Sequence, residues 1–328
     1  MAKKMTWSRR RFLGSAVLAT GVTSRRPSVV FGFQTNHNAR QRDVRIPVTM
    51  CHGITDRLTR DRFEHYLEIS SELGFTTINY DQLYLWLTGA QSLPERPLMI
   101  DVDHPVASVA EEMFPLMQKY GFTGNLFVNT GYFQDVCGGT PIEAGQSSCA
   151  TWDQIRELMM SGWTIGAHTH THPNLSELSL TDPTGELVRA EMETNDALLE
   201  QHLGIRPEYF AFTGNSTGTT WSTVADLEAK TRYKLGRLWI VGSQCEIDGK
   251  IERYADFIGA LGPDEADGGP PLVSRYITSE TPRFRLPSME LERLLFAPET
   301  FRQYLLGALG LGVVGFLRCF WHSFVLQG

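Results

Sequence analysis

Apolar and polar positions along the chain follow two alternating periods, one typical of strands and one typical of helices. The runs RIPVTM, FTTINY, PLMIDVD, TGNLFVN, WTIGAH and EYFAF are short, apolar and rich in β-branched or aromatic residues, which predicts strands. Between them apolar residues recur at helical spacing. In LTRDRFEHYLEISSELG, Phe63 and Leu67 share a face, Thr59 is a predicted N-cap and Gly74 ends the helix. Regular strand–helix alternation predicts a parallel sheet, open or closed into a barrel.

The alternation also predicts the domain organisation. A polar linker over 31–45 precedes it, and one α/β domain is expected over 46–305, since α/β barrels routinely use this much chain. The last segment, 306–328, reads LGALGLGVVGFLRCFWHSFVLQG and is unusually apolar. A packed terminal helix is favoured over a membrane anchor because Arg318 and His322 interrupt the run. A C-terminus in which the natural reading frame has been lost is a third alternative.

The N-terminus predicts export. Residues 1–30 combine a basic start, the twin-arginine segment SRRRFLG and a short apolar run, which is typical of a twin-arginine signal peptide. The alternatives are a basic amphipathic arm or a short anchor helix, although the run from Phe12 to Val22 is short for spanning a bilayer. The expected destination is the periplasm or the extracellular space.

Charge narrows the possible partners. The chain carries 30 basic and 37 acidic side chains, a net charge of −7. Without the five basic side chains of residues 1–11 the balance is 25 against 37, or −12. Such an acidic protein is unsuited to nucleic acid or an anionic membrane surface, whereas a neutral glycan stays possible.

Five cysteines leave at least one unpaired within the chain. Cys137 and Cys149 bracket a glycine-rich loop, and an oxidising compartment would allow a bridge between them. Folding in a reducing cytosol before export would argue against it, so both states stay open. Cys51, Cys245 and Cys319 are expected to be buried small apolar residues.

Candidate chemistry follows two of the predicted strands. Asp101 and Asp103 end the run PLMIDVD, and their i, i+2 spacing places both on one side of the strand. His168 ends the strand WTIGA, and His172 follows four residues later. Because active-site residues gather at the carboxyl ends of parallel strands, these four side chains can meet. Two imidazoles and one carboxylate would form a three-ligand zinc-type site, and the second carboxylate would act as a base.

Each piece also has a structural interpretation. An Asp-x-Asp after a strand is often a turn or a helix cap, and a single histidine is often a hydrogen-bonded core residue. His104 and His52 are interpreted as supporting or ordinary polar residues, and His170 as solvent-facing or buried. The combination of strand-end carboxylates with a His-x3-His favours the metal site.

At these residues the chain resembles the polysaccharide deacetylase family, the NodB-homology carbohydrate esterases, from about Ile46 to about Trp221. The segment RIPVTMCHGITD is similar to the family's opening strand, and LPERPLMIDVDHP to the strand with paired aspartates. FPLMQKYGFTGNLFVNTGYF matches the helix and strand that follow. TWDQIRELMMSGWTIGAHTHTHPNLSEL carries the most specific match, the His-Thr-x-x-His motif starting at His168. YFAFTGNS lies where a subset of the family has a tight turn.

The resemblance implies a deformed (β/α) barrel with outer helices and metal-dependent removal of acetyl groups from sugars. In this assignment Asp101 is the catalytic base, Asp103, His168 and His172 bind a divalent metal, with zinc favoured, and the Gly214 N–H stabilises the oxyanion. His52 and Thr213 are expected to contact the acetylated polysaccharide substrate.

Some positions depart from the family pattern. Val102 separates the two aspartates, Ala211 stands where many members have an arginine, and the late histidine that protonates the leaving amine has no clear counterpart. The predicted function is an exported metal-dependent polysaccharide deacetylase, a hydrolase of carbon–nitrogen bonds acting on N-acetyl or O-acetyl groups. The alternatives are a glycan-binding relative without turnover and a hydrolase of a different amide.

Overall fold

The computed structural model describes residues 44–131, 149–258 and 276–311. Its strands, in chain order, are β1 (Ile46–Cys51), β2 (Thr76–Thr77), β3 (Pro97–Asp103), β4 (Asn125–Val128), β5 (Thr164–Ala167), β6 (Tyr209–Ala211), β7 (Gly214–Asn215), β8 (Gly218–Trp221), β9 (Leu235–Ile240), β10 (Gln244–Ile247), β11 (Lys250–Arg253), β12 (Tyr276–Ile277) and β13 (Leu286–Glu290). Its α-helices are α1 (Arg60–Glu72), α2 (Tyr80–Leu87), α3 (Phe114–Lys119), α4 (Trp152–Met160), α5 (Leu175–Thr181), α6 (Glu186–Leu203), α7 (Thr223–Arg232), α8 (Tyr254–Ile258) and α9 (Pro298–Ala308). A π-helix, Val109–Met113, leads directly into α3.

Seven of these strands form a closed parallel barrel. Their order is β1, β13, β9, β6, β5, β4 and β3, and β3 pairs back to β1. The closing register places Val48 opposite Met99 and Cys51 opposite Val102. The short β2 pairs in parallel with the start of β3, and β12 lies antiparallel to β1. The predicted parallel α/β barrel is confirmed.

A second sheet of four strands, in the order β11, β10, β8 and β7, lies beside the barrel. Strands β7 and β8 follow the barrel strand β6 in the chain, and β10 and β11 follow the barrel strand β9. The carboxyl end of the barrel is therefore flanked by additional structure on one side.

Alternation along the strands separates the helix-facing surface of the barrel from its interior. In β3, the residues Leu98, Ile100 and Val102 belong to the larger apolar cluster, which also contains residues of the outer helices. Met99 belongs instead to the smaller cluster, where it meets Tyr80 and Trp86 of α2. Asp101 and Asp103 share the parity of Met99, so both point into the barrel. The amino end of the barrel is thus apolar and its carboxyl end polar.

Local sequence signals explain where several helices begin. Thr59 caps α1 by accepting from the Arg62 N–H, and Gly74, with φ of +71°, follows the helix end, as predicted. Thr151 and Gln154 form a reciprocal capping box at the start of α4. Residues close in sequence therefore determine where these outer helices begin.

Two of the cysteines predicted to be buried, Cys51 and Cys245, are buried. Cys149 is disulfide-bonded. Cys137, its predicted partner, and Cys319 lie outside the described residues, as do the predicted signal peptide and most of the apolar C-terminal segment. The predicted domain boundaries stay predictions. No helix among the described ranges has the length and apolarity needed to cross a bilayer.

Candidate active site

Three histidines from separate parts of the chain meet at the carboxyl end of the barrel. His104 follows β3, His168 follows β5, and His172 lies in the loop before α5. Their ring centroids are 4.9 to 5.3 Å apart. The nitrogen atoms they can offer to a ligand all lie within 4.8 Å of one another, which makes them a candidate metal-binding group. His168 and His172 were predicted to meet, and the structure adds His104.

Hydrogen bonds fix the orientation of two of these rings. The Nδ1 atom of His168 lies 2.9 Å from the Ala211 carbonyl oxygen, which can only accept, so this nitrogen carries the proton. Its Nε2 atom is buried and has no hydrogen-bond partner among the described residues. Nδ1 of His104 lies 2.8 Å from Asn129 Oδ1, which favours the same tautomer. Metal-binding histidines are oriented in this way.

The environment keeps the three imidazoles neutral. Burial, assisted by His172 and His52, lowers the pKa of His104 to about 3, and burial lowers the pKa of His172 to about 4. The pKa of His168 also lies well below its ordinary value, chiefly because of burial. Neutral imidazoles in a buried cluster, one with an unpartnered nitrogen, fit a divalent transition metal such as zinc.

The backbone around the cluster is strained. Within the described ranges, the non-glycine residues with positive φ are His104, Thr169, His172 and Asp248, at +66°, +64°, +58° and +47°. Three of these four belong to the histidine cluster or to the turn between its members. Left-handed backbone costs a non-glycine residue about 1–3 kcal/mol. Since glycine would avoid this cost at position 104, the histidine there points to a function.

Asp103 is buried next to the cluster and forms an ion pair with Arg237. The Arg237 Nη2 atom donates to Asp103 Oδ1, and both side chains are almost completely buried. The other carboxylate oxygen, Oδ2, lies 3.7 Å from His168 Nε2. Asp103 is therefore adjacent to the histidines, with one oxygen held by the guanidinium and the other directed towards the site.

Asp101, the predicted base, lies deeper inside the barrel and is fully buried. Its carboxylate accepts from Tyr80 Oη at 2.9 Å, from Ser288 Oγ at 2.9 Å and from Asn125 Nδ2 at 3.0 Å. Burial raises its pKa, although Arg237 and these donors oppose that effect. A carboxylate with its oxygens engaged this deeply supports the barrel interior and does not reach the mouth.

A second pair of side chains, His52 and Glu292, lies beside the cluster. The His52 Nδ1 atom lies 3.0 Å from Glu292 Oε2, and the His52 N–H donates to Glu292 Oε1 at 3.1 Å. The His52 ring stacks on His104 with centroids 5.5 Å apart. Burial, the largest single effect, opposes ionisation of Glu292, but the hydrogen bonds and charge of His52 together with a hydrogen bond from Glu290 lower the pKa of this carboxyl group. His52 was predicted as a substrate contact, and its ring is 28% exposed at the mouth.

The two predicted residues after β6 have different surroundings. Thr213 is fully buried, and its hydroxyl donates to the Pro173 carbonyl oxygen at 2.5 Å, so in this conformation it supports a loop and does not face a substrate. Gly214 packs flat on Trp239, where an added Cβ would lie 2.2 Å from the indole Cε3 atom. The edge of Trp239 in turn meets the His52 ring at 5.3 Å. Gly214 therefore lies in the wall beside the mouth.

Sequence reasoning missed three members of this site. Arg237 is the single charged residue in the apolar strand LGRLWI, which was the available signal. His104 directly follows the paired aspartates and was interpreted only as a supporting or ordinary polar residue. Glu292 lies in a region where the strand–helix pattern is weak, so nothing in the sequence linked it to His52.

Comparisons with known proteins agree with this geometry. A family model described as Polysaccharide deacetylase matches residues 90–232. YxkH of Bacillus subtilis (strain 168), whose name assigns it provisionally to the polysaccharide deacetylases, is 22% identical over 151 residues, which are 45% of this chain and 50% of that protein. The chain therefore spans about half the length of the curated relative it matches.

Two solved structures share the fold. The Streptococcus pyogenes deacetylase PplD, in complex with acetate, has a TM-score of 0.55 at 17% identity and covers 80% of this chain and 98% of its own. IcaB from Ammonifex degensii has a TM-score of 0.56 at 20% identity and covers 81% of this chain and 97% of its own. At these identities the likeness shows the fold alone, a barrel of the NodB type.

The match to the polysaccharide deacetylase model over residues 90–232 and the shared fold agree with the barrel and the site described above. The hydrolase class predicted from the sequence is confirmed at this family level. The family is generally metal-dependent and implies an acetylated polysaccharide as substrate, and the histidine group supplies candidate ligands.

Proposed function

We propose that this protein is an exported, metal-dependent deacetylase that hydrolyses N-acetyl or O-acetyl groups of a polysaccharide. The observation that carries the proposal is the buried, unpartnered Nε2 atom of His168, which lies within the histidine cluster at the carboxyl end of the barrel. An unpaired buried nitrogen costs free energy unless a ligand satisfies it. The match of residues 90–232 to the family model supports the same conclusion.

His168 and His172 would hold the metal together with a third ligand from the turn that follows β3, and zinc suits such ligands. The bound ion would polarise the acetyl carbonyl and acidify its water. This ligand chemistry requires deprotonated imidazoles, a state that burial already favours in this site.

Asp103 is the residue we assign as general base, in place of Asp101. Its Oδ2 atom is directed towards the cluster, 3.7 Å from His168 Nε2, whereas the oxygens of Asp101 are engaged inside the barrel. The ion pair with Arg237 orients Asp103 beside the cluster, as a base that accepts a proton from water requires.

His52 is the residue that can protonate the leaving amine. Its partly exposed side chain lies beside the cluster, and Glu292 orients its ring through Nδ1, which directs Nε2 away from the carboxylate. The His52–Glu292 pair would therefore act as the acid that protonates the leaving amine, a role for which the sequence shows no late histidine. The Gly214 N–H, held in place by packing on Trp239, would donate to the carbonyl oxygen as charge develops there.

The test is acetate release from a panel of N-acetylated chitin-like oligomers, peptidoglycan, poly-N-acetylglucosamine and an O-acetylated glycan. We expect the zinc-loaded chain to release acetate from at least one, chelation to abolish release, and zinc to restore it. His168→Ala should be inactive, while His65→Ala, which removes an exposed histidine of α1, should behave as wild type. Binding of these glycans without acetate release would favour the glycan-binding alternative.

Export is a separate part of the proposal and rests on SRRRFLG. Residues 1–30 fused to a folded reporter should direct it out of the cytoplasm in a bacterium with twin-arginine transport. Replacing Arg9 and Arg10 together by lysine should retain the reporter inside. Unchanged export by the lysine variant would contradict this route.

A further inference from the structure

His104 occupies the place where the metal-dependent function proposed above requires a third ligand. It lies 5.0 Å from His172 and 5.3 Å from His168, measured between ring centroids, so the three imidazoles form a nearly regular triangle. Asp103, the residue immediately before it, is not a member of the group whose ligand atoms all lie within 4.8 Å of one another.

Asp103 is engaged elsewhere. Its Oδ1 atom accepts a hydrogen bond from Nη2 of Arg237, whose side chain has no exposed surface. Arg237 also faces Asp101, with Nε 3.7 Å from Oδ2. Moving Asp103 into a metal's coordination shell would take it from this buried cation, and the guanidinium would be left with one buried carboxylate at longer range.

The turn after β3 brings His104 to the mouth. Asp103 and Asp101 point into the barrel, whereas the left-handed conformation of His104 turns the chain at the strand end. The His104 Nδ1 atom lies 2.8 Å from Oδ1 of Asn129, the residue that follows β4. This contact directs the opposite edge of the His104 ring towards the other two histidines. His168 is held in the same way by the Ala211 carbonyl.

We infer that the metal is held by three neutral imidazoles, those of His104, His168 and His172, and that Asp103 remains outside the coordination shell in its ion pair with Arg237. The inference rests on the proposed metal-dependent function. It identifies a ligand set without a carboxylate, so the bound dication keeps its full charge beside the Asp103 base. Three histidines also leave a coordination position for water and substrate.

The test is calorimetric titration of Zn²⁺ into the full chain after removal of metal by chelation. We expect His104→Ala to weaken zinc binding at least about a hundredfold, because a direct ligand is lost. Asp103→Asn should bind zinc within about threefold of wild type. His104→Asp, which supplies a carboxylate at the same position, should bind within about tenfold of wild type, and His65→Ala should be unchanged.

A second measurement covers the case in which a variant fails to fold, which urea denaturation of each variant would reveal. X-ray absorption at the zinc edge of the loaded wild-type chain counts imidazole ligands directly, and we expect three, falling to two in His104→Asp. The inference is overturned by two imidazoles in the wild type, or by Asp103→Asn losing zinc while His104→Ala retains it.

These readouts separate the ligand set from the proposed activity. If zinc binds through three histidines but no acetylated glycan is hydrolysed, the ligand assignment stands and the deacetylase function fails. If acetate is released while Asp103 proves to be the third ligand, the function stands and the ligand assignment fails.

Discussion

Arg237 is a single residue on which the charge balance of the barrel interior depends. It is fully buried among Asp101, Asp103 and the Phe127 ring, whose centroid is 4.8 Å from its guanidinium carbon. In the register of β6 and β9 it lies directly beside Ala211, the position where many family members have an arginine. The chain thus keeps the buried cation but supplies it from the neighbouring strand.

Replacing Arg237 by alanine should therefore destabilise the fold and the site together. We expect a loss of about 3–5 kcal/mol in the free energy of unfolding, because two buried carboxylates lose their counterion. Ala211→Arg combined with Arg237→Ala should recover about half of this loss, since neighbouring strands lie about 4.8 Å apart. Urea denaturation measures both, with Arg60→Ala as an exposed control. Equal unfolding midpoints for wild type and Arg237→Ala would contradict the role assigned to this residue.

Asp196 gives a pH-dependent prediction away from the site. Burial raises its pKa to about 6, although Tyr233 donates to it at 2.9 Å. Because the folded state holds this proton more tightly than the unfolded state, the contribution of Asp196 to stability falls as the pH rises from about 4 to about 6. Asp196→Asn keeps an acceptor for Tyr233 and removes the ionisation.

We expect Asp196→Asn to gain about 2 kcal/mol relative to wild type between pH 4.5 and pH 7, measured by urea denaturation at both values. Comparing the two proteins cancels the contributions of all other carboxyl groups. A difference that is the same at the two pH values would show that Asp196 is not protonated in the folded state.

Single-residue signals predicted part of the site. The His-x3-His spacing identified His168 and His172, which the structure brings together. The assignment of roles to Asp101 and Asp103 could not be made from the sequence, because i, i+2 parity places both in the barrel and depth along the strand decides which reaches the mouth. His104 could not be assigned either, because its orientation depends on a left-handed turn that its sequence does not specify.

Among the elements, α6 holds the histidine loop in place. Glu191 on this helix accepts from the His170 N–H at 2.9 Å, from the Thr171 N–H at 2.7 Å and from the Thr171 hydroxyl at 2.7 Å. Since these residues lie between His168 and His172, one carboxylate fixes the conformation of the loop that carries two candidate ligands.

Replacing Glu191 by alanine should loosen this loop and weaken zinc binding by about 10- to 100-fold, the usual effect of removing a residue that orients metal ligands. The unfolding midpoint should change little, because the contacts are at the surface. Glu193→Ala is the matched control, since Glu193 is on the same helix and pairs only with Arg232 at 2.6 Å among the contacts described. Calorimetric titration of zinc into both variants measures this difference. Equal zinc affinities for Glu191→Ala and Glu193→Ala would contradict the role of Glu191.

The parallel strands β1 to β6 and helices such as α1 were predictable. Caps such as Thr59 and short apolar runs are local signals, and they identified these elements correctly. The hairpin of β10 and β11 was not placed, because β11 is exposed along its length and shows no alternation of buried and exposed residues.

At the scale of the whole molecule, the barrel is closed by β1 and covered there by α9. The Tyr304 hydroxyl accepts from the Val48 N–H at 3.0 Å, which links α9 to the strand that closes the barrel across 256 residues of sequence. Tyr304→Phe should lower the free energy of unfolding by about 1–2 kcal/mol, because a buried N–H loses its partner. Zinc affinity should not change, since the bond lies far along β1 from His52. An unchanged free energy of unfolding would show that this link does not stabilise the barrel.

The closed barrel also explains why the site forms at one end. Its amino end is filled by α2 and apolar residues, while side chains of β1, β3, β5, β9 and β13 converge at the carboxyl end. The fold class followed from strand–helix alternation, but closure did not, because open and closed parallel sheets share the same local pattern.

The central claim is that this end of the barrel is a metal-dependent hydrolytic site. The most direct measurement is the metal content of the purified full chain by elemental analysis, compared with His168→Ala. We predict about one zinc-type ion per chain in the wild type and loss of that ion in the variant. A wild-type chain that binds no divalent metal even after reconstitution, or a His168→Ala variant that keeps it, would contradict the account.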